Sequence, residues 1–325
     1  MIIISNTEIN TWQRCRRKWL ISYYLGYQPD AEEVTGHRIL GVRVHTALEG
    51  HYGYGLDPLA VLQLLYKFEL EASPEFELEL SAERDLASAM VEGYIEWAAE
   101  TGADAGMAVV ATEADVTVPL PGVEGVSLRA KLDQIVYNEL TGLHSFKDWK
   151  TAASFEQHDI LALNPQFKLY SLVQKLRNPG GVLVDGGIIT TLRRVKRTAR
   201  SSPPYYQTDE FRYNPQTVNA TLRKAQRIGY QIKKARQALD WVYAEDGGQG
   251  KADALDLVQQ SLFPPTPIVR DCGWSCPFVT LCPMMDDGSD WIGALVSSGH
   301  YRQEDPYAYY SDDPLRRVRQ VLEDR

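Results

Sequence analysis

The chain has no apolar run near the roughly 20 residues that a bilayer-spanning helix needs, which excludes a membrane span of that kind. Its opening, MIIISNTEINTWQRCRRKWL, lacks the ordered basic, apolar and small-residue zones of a secretory leader, so a cytoplasmic location is expected. Positive charge is also in deficit. The 34 Lys and Arg residues against 43 Asp and Glu give a net charge of −9, which argues against whole-surface adhesion to phosphates. Cysteine is scarce: four residues, of which a reducing compartment would not make two disulfides. There is no internal repeat and no long low-complexity linker, which removes solenoids and tethered modules from consideration.

What is present describes a soluble globular protein, long enough at 325 residues to bury a sizeable core in one large domain or two ordinary ones. Two local basic runs stand against the acidic background: Arg14, Arg16, Arg17 and Lys18, and then Arg193, Arg194, Lys196, Arg197 and Arg200. Taken alone, such runs are solvated faces. Cys15 is isolated, while Cys272, Cys276 and Cys282 crowd into CGWSCPFVTLC, a spacing that suits a metal or cluster site better than disulfides.

Apolar periodicity predicts helices over residues 6–27, 37–52, 58–71 and 82–101, so the first hundred residues are mostly helical. The period then changes. Residues 107–119, 126–137 and 143–150 alternate or run β-branched, separated by the turn sequences LPGVEG and NELTG, and read as three successive antiparallel strands. NPQFKLYSLVQKLR follows as a helix capped by Asn164, with Pro165 in its first turn. Strands are expected within GGVLVDGGIITTLRR and YYQTDEFRYN, a long helix from Asn214 or Pro215 to about Tyr243, a loop at EDGGQGK and a short helix over 251–262. The segment 286–325 is acidic and aromatic and shows no clear pattern.

The candidate chemistry gathers around DWKT, residues 148–151. At strand period Asp148 and Lys150 share a face and Trp149 anchors the other; taken alone, this is an edge salt bridge. A hairpin over Glu139 to Gly142, however, sets Asp133 opposite Asp148 on the same face. Two facing carboxylates repel unless one is protonated or a hard cation such as Mg²⁺ or Mn²⁺ lies between them. The same register opposes Lys131 to Lys150, which a bulge or a phosphate would have to relieve. His45 and Glu49 share a helical face in GVRVHTALEGH and either could add a ligand, or they form a surface pair. Gln166 and Tyr170 share a face in QFKLY, where an amide and a phenol could position a phosphate or the lysine; ordinary packing of Tyr170 is the alternative.

Taken in order, His45 in GVRVHTALE, Asp133 in AKLDQIV, Asp148 and Lys150 in DWKT, and Gln166 and Tyr170 in QFKLY resemble the motifs of PD-(D/E)xK nucleases of the RecB type. The resemblance implies an α/β fold with a restriction-endonuclease-like core: a central mixed β-sheet flanked by helices, with an N-terminal helical region and a C-terminal cysteine cluster. It implies a single nuclease domain over 1–285, divided into a helical region 1–105, a catalytic core 106–200 and a helical, cluster-binding part 201–285, followed by a tail over 286–325. One cysteine before the core and three after it is the distribution of the iron–sulfur subset, which includes AddB-like and CRISPR-adaptation nucleases. Cys15, Cys272, Cys276 and Cys282 would then bind a [4Fe–4S] cluster, with Zn²⁺ as the alternative because four thiolates also suit that ion.

The resemblance also implies roles. His45, Asp133, Asp148 and the backbone carbonyl of Trp149 would hold Mg²⁺ or Mn²⁺. Lys150 would orient or deprotonate the attacking water, with a pKa that falls if the site is dry. Gln166 and Tyr170 would support Lys150 or the substrate phosphate, and Glu49 would stand behind the ligands. The expected activity is a metal-dependent deoxyribonuclease, with single-strand or end-directed exonuclease action favoured over endonuclease action. The basic runs would capture DNA, with Tyr205 and Tyr206 available for stacking. The alternatives are a non-catalytic DNA-binding subunit that retains the fold, and a nuclease that works only with a protein partner in recombination, repair or CRISPR adaptation.

Overall fold

The computed structural model describes residues 1–30, 33–179, 184–244, 262–310 and 313–323. The expected loop over EDGGQGK and almost all of the expected helix over 251–262 lie outside the described residues. In chain order the elements begin with strand β1 (Ile2–Ser5), helices α1 (Asn6–Arg14) and α2 (Arg16–Trp19), strand β2 (Tyr27–Pro29), and helices α3 (His37–Tyr54), α4 (Pro58–Ala72) and α5 (Glu77–Thr101). Strands β3 (Met107–Pro119), β4 (Val126–Asn138) and β5 (Leu143–Ala152) follow, then α6 (His158–Leu163), α7 (Pro165–Arg177), β6 (Val184–Arg193), β7 (Tyr206–Arg212) and α8 (Pro215–Ala244). The C-terminal part adds α9 (Val269–Trp274), α10 (Leu281–Asp287), α11 (Trp291–Ser297), β8 (Tyr301–Gln303) and α12 (Pro314–Glu323).

These elements form two compact units, each assembled from separate stretches of chain. The first takes the described residues of 1–32, 117–129 and 220–311. In it β1 runs parallel to the start of β4, from Ile2↔Val126 to Ser5↔Arg129. Ser5 then caps α1, its hydroxyl accepting from the Glu8 amide at 3.2 Å. The helix expected over 6–27 is interrupted: Cys15 is extended at φ −153°, and after α2 the chain takes a π-helical turn over Leu20–Tyr24. Both breaks serve packing. Trp19 is fully buried, stacked on Phe263 at 6.0 Å and edge-on to Trp12 at 4.8 Å, and its indole donates to the buried Glu8 carboxylate at 2.8 Å. Part of the C-terminal segment closes this unit, with β8 antiparallel to β2.

The second unit takes the described residues of 33–116, 130–219 and 312–325, and its centre is a mixed sheet. β3 pairs with β4, β4 is antiparallel to β5, β5 is parallel to β6 and β6 is antiparallel to β7. The parallel β5–β6 pair needs a crossover, which α6 and α7 supply. Helices lie on both faces of this sheet, and alternation along β5 shows which. Trp149 stacks on Tyr52 of α3 at 5.3 Å and donates to the Tyr94 hydroxyl of α5 at 3.1 Å. Phe146 points the other way, against Phe167 and Tyr170 of α7 and Phe211 of β7. Gly187, opposite Phe146 in the ladder, permits this: a Cβ there would lie 2.2 Å from the ring. The fold is therefore an α/β fold with a central mixed sheet flanked by helices.

Candidate active site

The hairpin that carries DWKT has the register that its loop dictates. Asn138 pairs with Leu143 across a four-residue turn, with Gly142 at φ +70°, and the ladder runs back to Gln134↔Lys147. One further step sets Asp133 against Asp148. The paired residues end before that step, so Lys131 and Lys150 do not have to face each other across a closed ladder.

Asp148 is 1% exposed. Burial pushes its carboxyl above the usual range, and repulsion from Asp133 adds to this, against the pull of the Lys150 ammonium 2.7 Å away. Burial would raise Asp133 too, but His45, whose Nδ1 is 2.9 Å from Oδ2, and Lys150 hold it well below. Two like groups in one dry site are thus pushed apart. A carboxyl raised by folding contributes stability at low pH, and that contribution is lost as pH rises through its folded value. Asp133, held low, changes only in strong acid. In chelator, Asp148→Asn is therefore expected to melt above the parent at about pH 8, with the gain shrinking toward about pH 5. A gain that is absent, or that grows on acidification, would show that Asp148 is not the raised member of the pair.

The oxygens here suit a hard cation. Oδ1 of Asp148 is buried without a hydrogen-bond donor, and Oδ2 of both acids lies within ion-pair distance of a cation but outside hydrogen-bond geometry. Buried carboxylate oxygens lacking donors, beside an imidazole, are the donor set of a Mg²⁺ or Mn²⁺ site. Among the described residues no group of three or more His, Cys, Asp or Glu stands in ligating geometry. Each acid instead leans on its own cation, Asp133 on His45 and Asp148 on Lys150.

His45 reaches this place because α3 comes close to β5. At Gly41, one turn before His45, a Cβ would lie 3.2 Å from Oγ1 of Thr151, the last residue of DWKT. Burial would lower the His45 imidazole, but Asp133 and then Asp148 hold it above its ordinary value. Lys150 follows the same logic. Burial alone would lower its ammonium, as the sequence reading allowed, but Asp148 and Asp133 outweigh burial and keep it high. On α7, capped by Asn164 as expected, Gln166 donates through Nε2 to the Tyr170 hydroxyl at 2.5 Å. Phe167, between them in sequence, lies under the Lys150 ammonium at 5.5 Å. Glu49 is half-buried on α3.

The reverse face of β5 carries a network that the motifs did not reveal. Lys147 is 2% exposed, pairs with Asp104 and lies over the rings of Tyr52 at 4.8 Å and Trp149 at 5.1 Å. Tyr94 donates to Asp104 at 3.1 Å while accepting from the Trp149 indole. Burial lowers the Lys147 ammonium; Asp104, with Lys147 and two phenols around it, is also held low. Period 2 places Lys147 behind Asp148, but nothing in the sequence connects it to Asp104.

In the first unit all four cysteines are free, half-buried thiols lining one cavity of about 590 Å³. Cys15 occupies the break between α1 and α2, Cys272 lies in α9, Cys276 just after it and Cys282 in α10. Burial raises the thiols of Cys276 and Cys282; Lys18 opposes this at Cys276 and Arg17 at Cys282. Arg17 is itself buried, bonded to Asp286 and to the Cys282 carbonyl.

The structure engages part of the expected capture surface. Arg193 donates to the carbonyls of Ser202 and Pro204, Lys196 lies 3.6 Å from Asp85 and Arg197 pairs with Glu96 at 2.5 Å. Tyr206 is 6% exposed, donates to the Met90 carbonyl and is not available for stacking. Among the described residues no helix is long and apolar enough to cross a membrane.

Comparison with curated proteins gives no match. Among solved structures the chain is similar to one described as "Crystal structure of SSO0001", with a TM-score of 0.30 and 15% identity over 78% of this chain and 88% of that one. A family model, the PD-(D/E)XK nuclease superfamily, matches residues 3–283. That span is most of the sequence and contains every residue of the site: the chain belongs to the PD-(D/E)XK nuclease superfamily.

Proposed function

We propose that the protein is a divalent-metal-dependent deoxyribonuclease of the RecB type, acting as a single-strand or end-directed exonuclease. The observation that carries this reading is the pairing of half-buried Asp133 with buried Asp148, whose carboxylate has an oxygen without a donor, beside the Lys150 ammonium where the β4–β5 ladder ends. Members of the superfamily typically use Mg²⁺ or Mn²⁺. When bound, such an ion supplies Lewis acidity and neutralises charge at the phosphoryl oxygens. His45, Asp133, Asp148 and the Trp149 carbonyl are the groups that would hold it. Lys150, whose ammonium the two carboxylates hold high when no ion is bound, would orient or deprotonate the attacking water. Gln166, half-buried, would support Lys150 or the substrate phosphate, and Tyr170, 4% exposed and packed on Phe146, holds the Gln166 amide from behind. Exonuclease action rests on the RecB-type resemblance. The test is degradation of DNA labelled at the 5′ or the 3′ end, with Mg²⁺ or Mn²⁺ and with chelator. Metal-dependent loss of mononucleotides from one end is the expected result. Internal cutting would overturn the exonuclease reading, and no metal-dependent cleavage the nuclease reading.

For the cysteines the reading is a [4Fe–4S] cluster of the AddB-like kind, supported by the convergence of all four thiols on one cavity. It would fasten α2 to the segment carrying α9 and α10. Anaerobically purified protein is expected to be brown, with visible thiolate-to-iron absorption that Cys276→Ser removes. Colourless protein that carries zinc would assign the thiols to that ion instead.

A further inference from the structure

The register of the sheet places a second polar group on the face that carries the acids. Asp148 pairs with Ile189 and Ile189 with Asp209; Lys150 pairs with Thr191 and Thr191 with Gln207. Residues paired across strands point to the same side, so Asp209 and Gln207 extend the row begun by Asp148 and Lys150. Two inter-strand steps put the Asp209 backbone about 10 Å from that of Asp148. Asp209 is 8% exposed and accepts from Nε2 of Gln207 at 2.8 Å. Its other oxygen lies 3.2 Å from Nδ1 of His158, the first residue of α6. Anchored at Nδ1, the His158 ring keeps its side chain 52% exposed, so the other nitrogen belongs to the outward edge.

We propose that His158, held by Asp209, binds a backbone phosphate of the nucleic acid next to the one that is cut; this rests on the nuclease reading above. Three of the basic residues that the sequence offered for this task are engaged elsewhere: Arg193 on backbone carbonyls, Lys196 on Asp85 and Arg197 on Glu96. His158 lies between DWKT and α7, that is, between the two stretches that carry Lys150 and then Gln166 and Tyr170. With Nδ1–H donating to the Asp209 carboxylate, the ring donates from its other nitrogen to a phosphate oxygen as the imidazolium, a charged donor aimed by the carboxylate behind it.

The test uses single-stranded oligonucleotides with one uncharged methylphosphonate placed one step to either side of the cleaved bond. His158→Ala is expected to raise KM for the all-phosphate strand about tenfold, the worth of one charge-assisted hydrogen bond, with kcat within about twofold. His158→Lys restores KM. At one of the two positions the methylphosphonate should cost the parent a similar factor and cost His158→Ala nothing further. Fluorescence polarisation of the same strands in chelator reads binding without cleavage and should show the same pattern. A parent that cleaves while His158→Ala leaves KM and polarisation unchanged overturns this proposal and leaves the nuclease reading intact. The proposal also falls if the variant loses kcat alone, or if both methylphosphonates act equally in parent and variant, because His158 would then only pin α6 to β7. A parent that cleaves no strand overturns the nuclease reading, and polarisation alone then decides whether His158 binds phosphate.

Discussion

Lys150→Ala is expected to lower kcat on labelled DNA by about 10³-fold, within the range spanned by positioned acid–base groups, while the melting temperature stays close to the parent's. The two halves of this result have different causes. Lys150 is about one-third exposed, so its removal opens no deep cavity. Its partner Asp148 is already pushed toward protonation by burial and by Asp133, and can take up a proton when the ammonium is gone. The chain has no comparable substitute for the lost donor on that face of β5, because Lys147 points to the other. Rate measurements at saturating substrate, paired with thermal melts, check both halves. A variant that turns over near the parent rate would remove Lys150 from the chemistry.

Lys147, three residues earlier on the same strand, should behave in the opposite way. Lys147→Met removes one member of a buried pair and leaves Asp104 charged among the Tyr52 and Tyr94 phenols, a change that typically costs about 3–5 kcal/mol. Chemical denaturation should show this as a lower midpoint with little change in slope. Adding Asp104→Asn to Lys147→Met should recover part of the loss, because the stranded charge goes with it. Molecules that remain folded should cleave with a KM and kcat near the parent's. If Lys147→Met lost activity without losing stability, the network behind Trp149 would belong to the chemistry and the division of β5 into two faces would be wrong.

How much of this was legible follows from where each signal sits. The hairpin register could be read because a short turn and period-2 alternation fix it locally, and the same alternation put Asp148 and Lys150 on one face with Trp149 on the other. The Asn164 cap and the Asn214–Pro215 start of α8 were equally local. Strand β1 was missed because three isoleucines and a serine are too short a run to separate strand from helix. The interruption at Cys15 was hidden by aromatic residues that keep a helical rhythm across it, although the chain is extended there and Trp19 beyond it stacks on Phe263. Charge was the least legible feature. The run from Arg193 to Arg200 reads as free surface until Glu96 and Asp85 are brought to it from α5, and Lys147 finds Asp104 only when the residues after that helix reach β5. Pairings over such sequence distances exist only in the folded chain.

The most direct test of the central claim is the position of Mn²⁺ in crystals of the full chain soaked with that ion and measured for anomalous scattering. The account predicts a peak within ligand distance of both Asp133 and Asp148, with the Lys150 amine beside it, and no peak there in Asp148→Asn. A strong Mn²⁺ peak elsewhere, with the two carboxylates still leaning on His45 and Lys150, would contradict it.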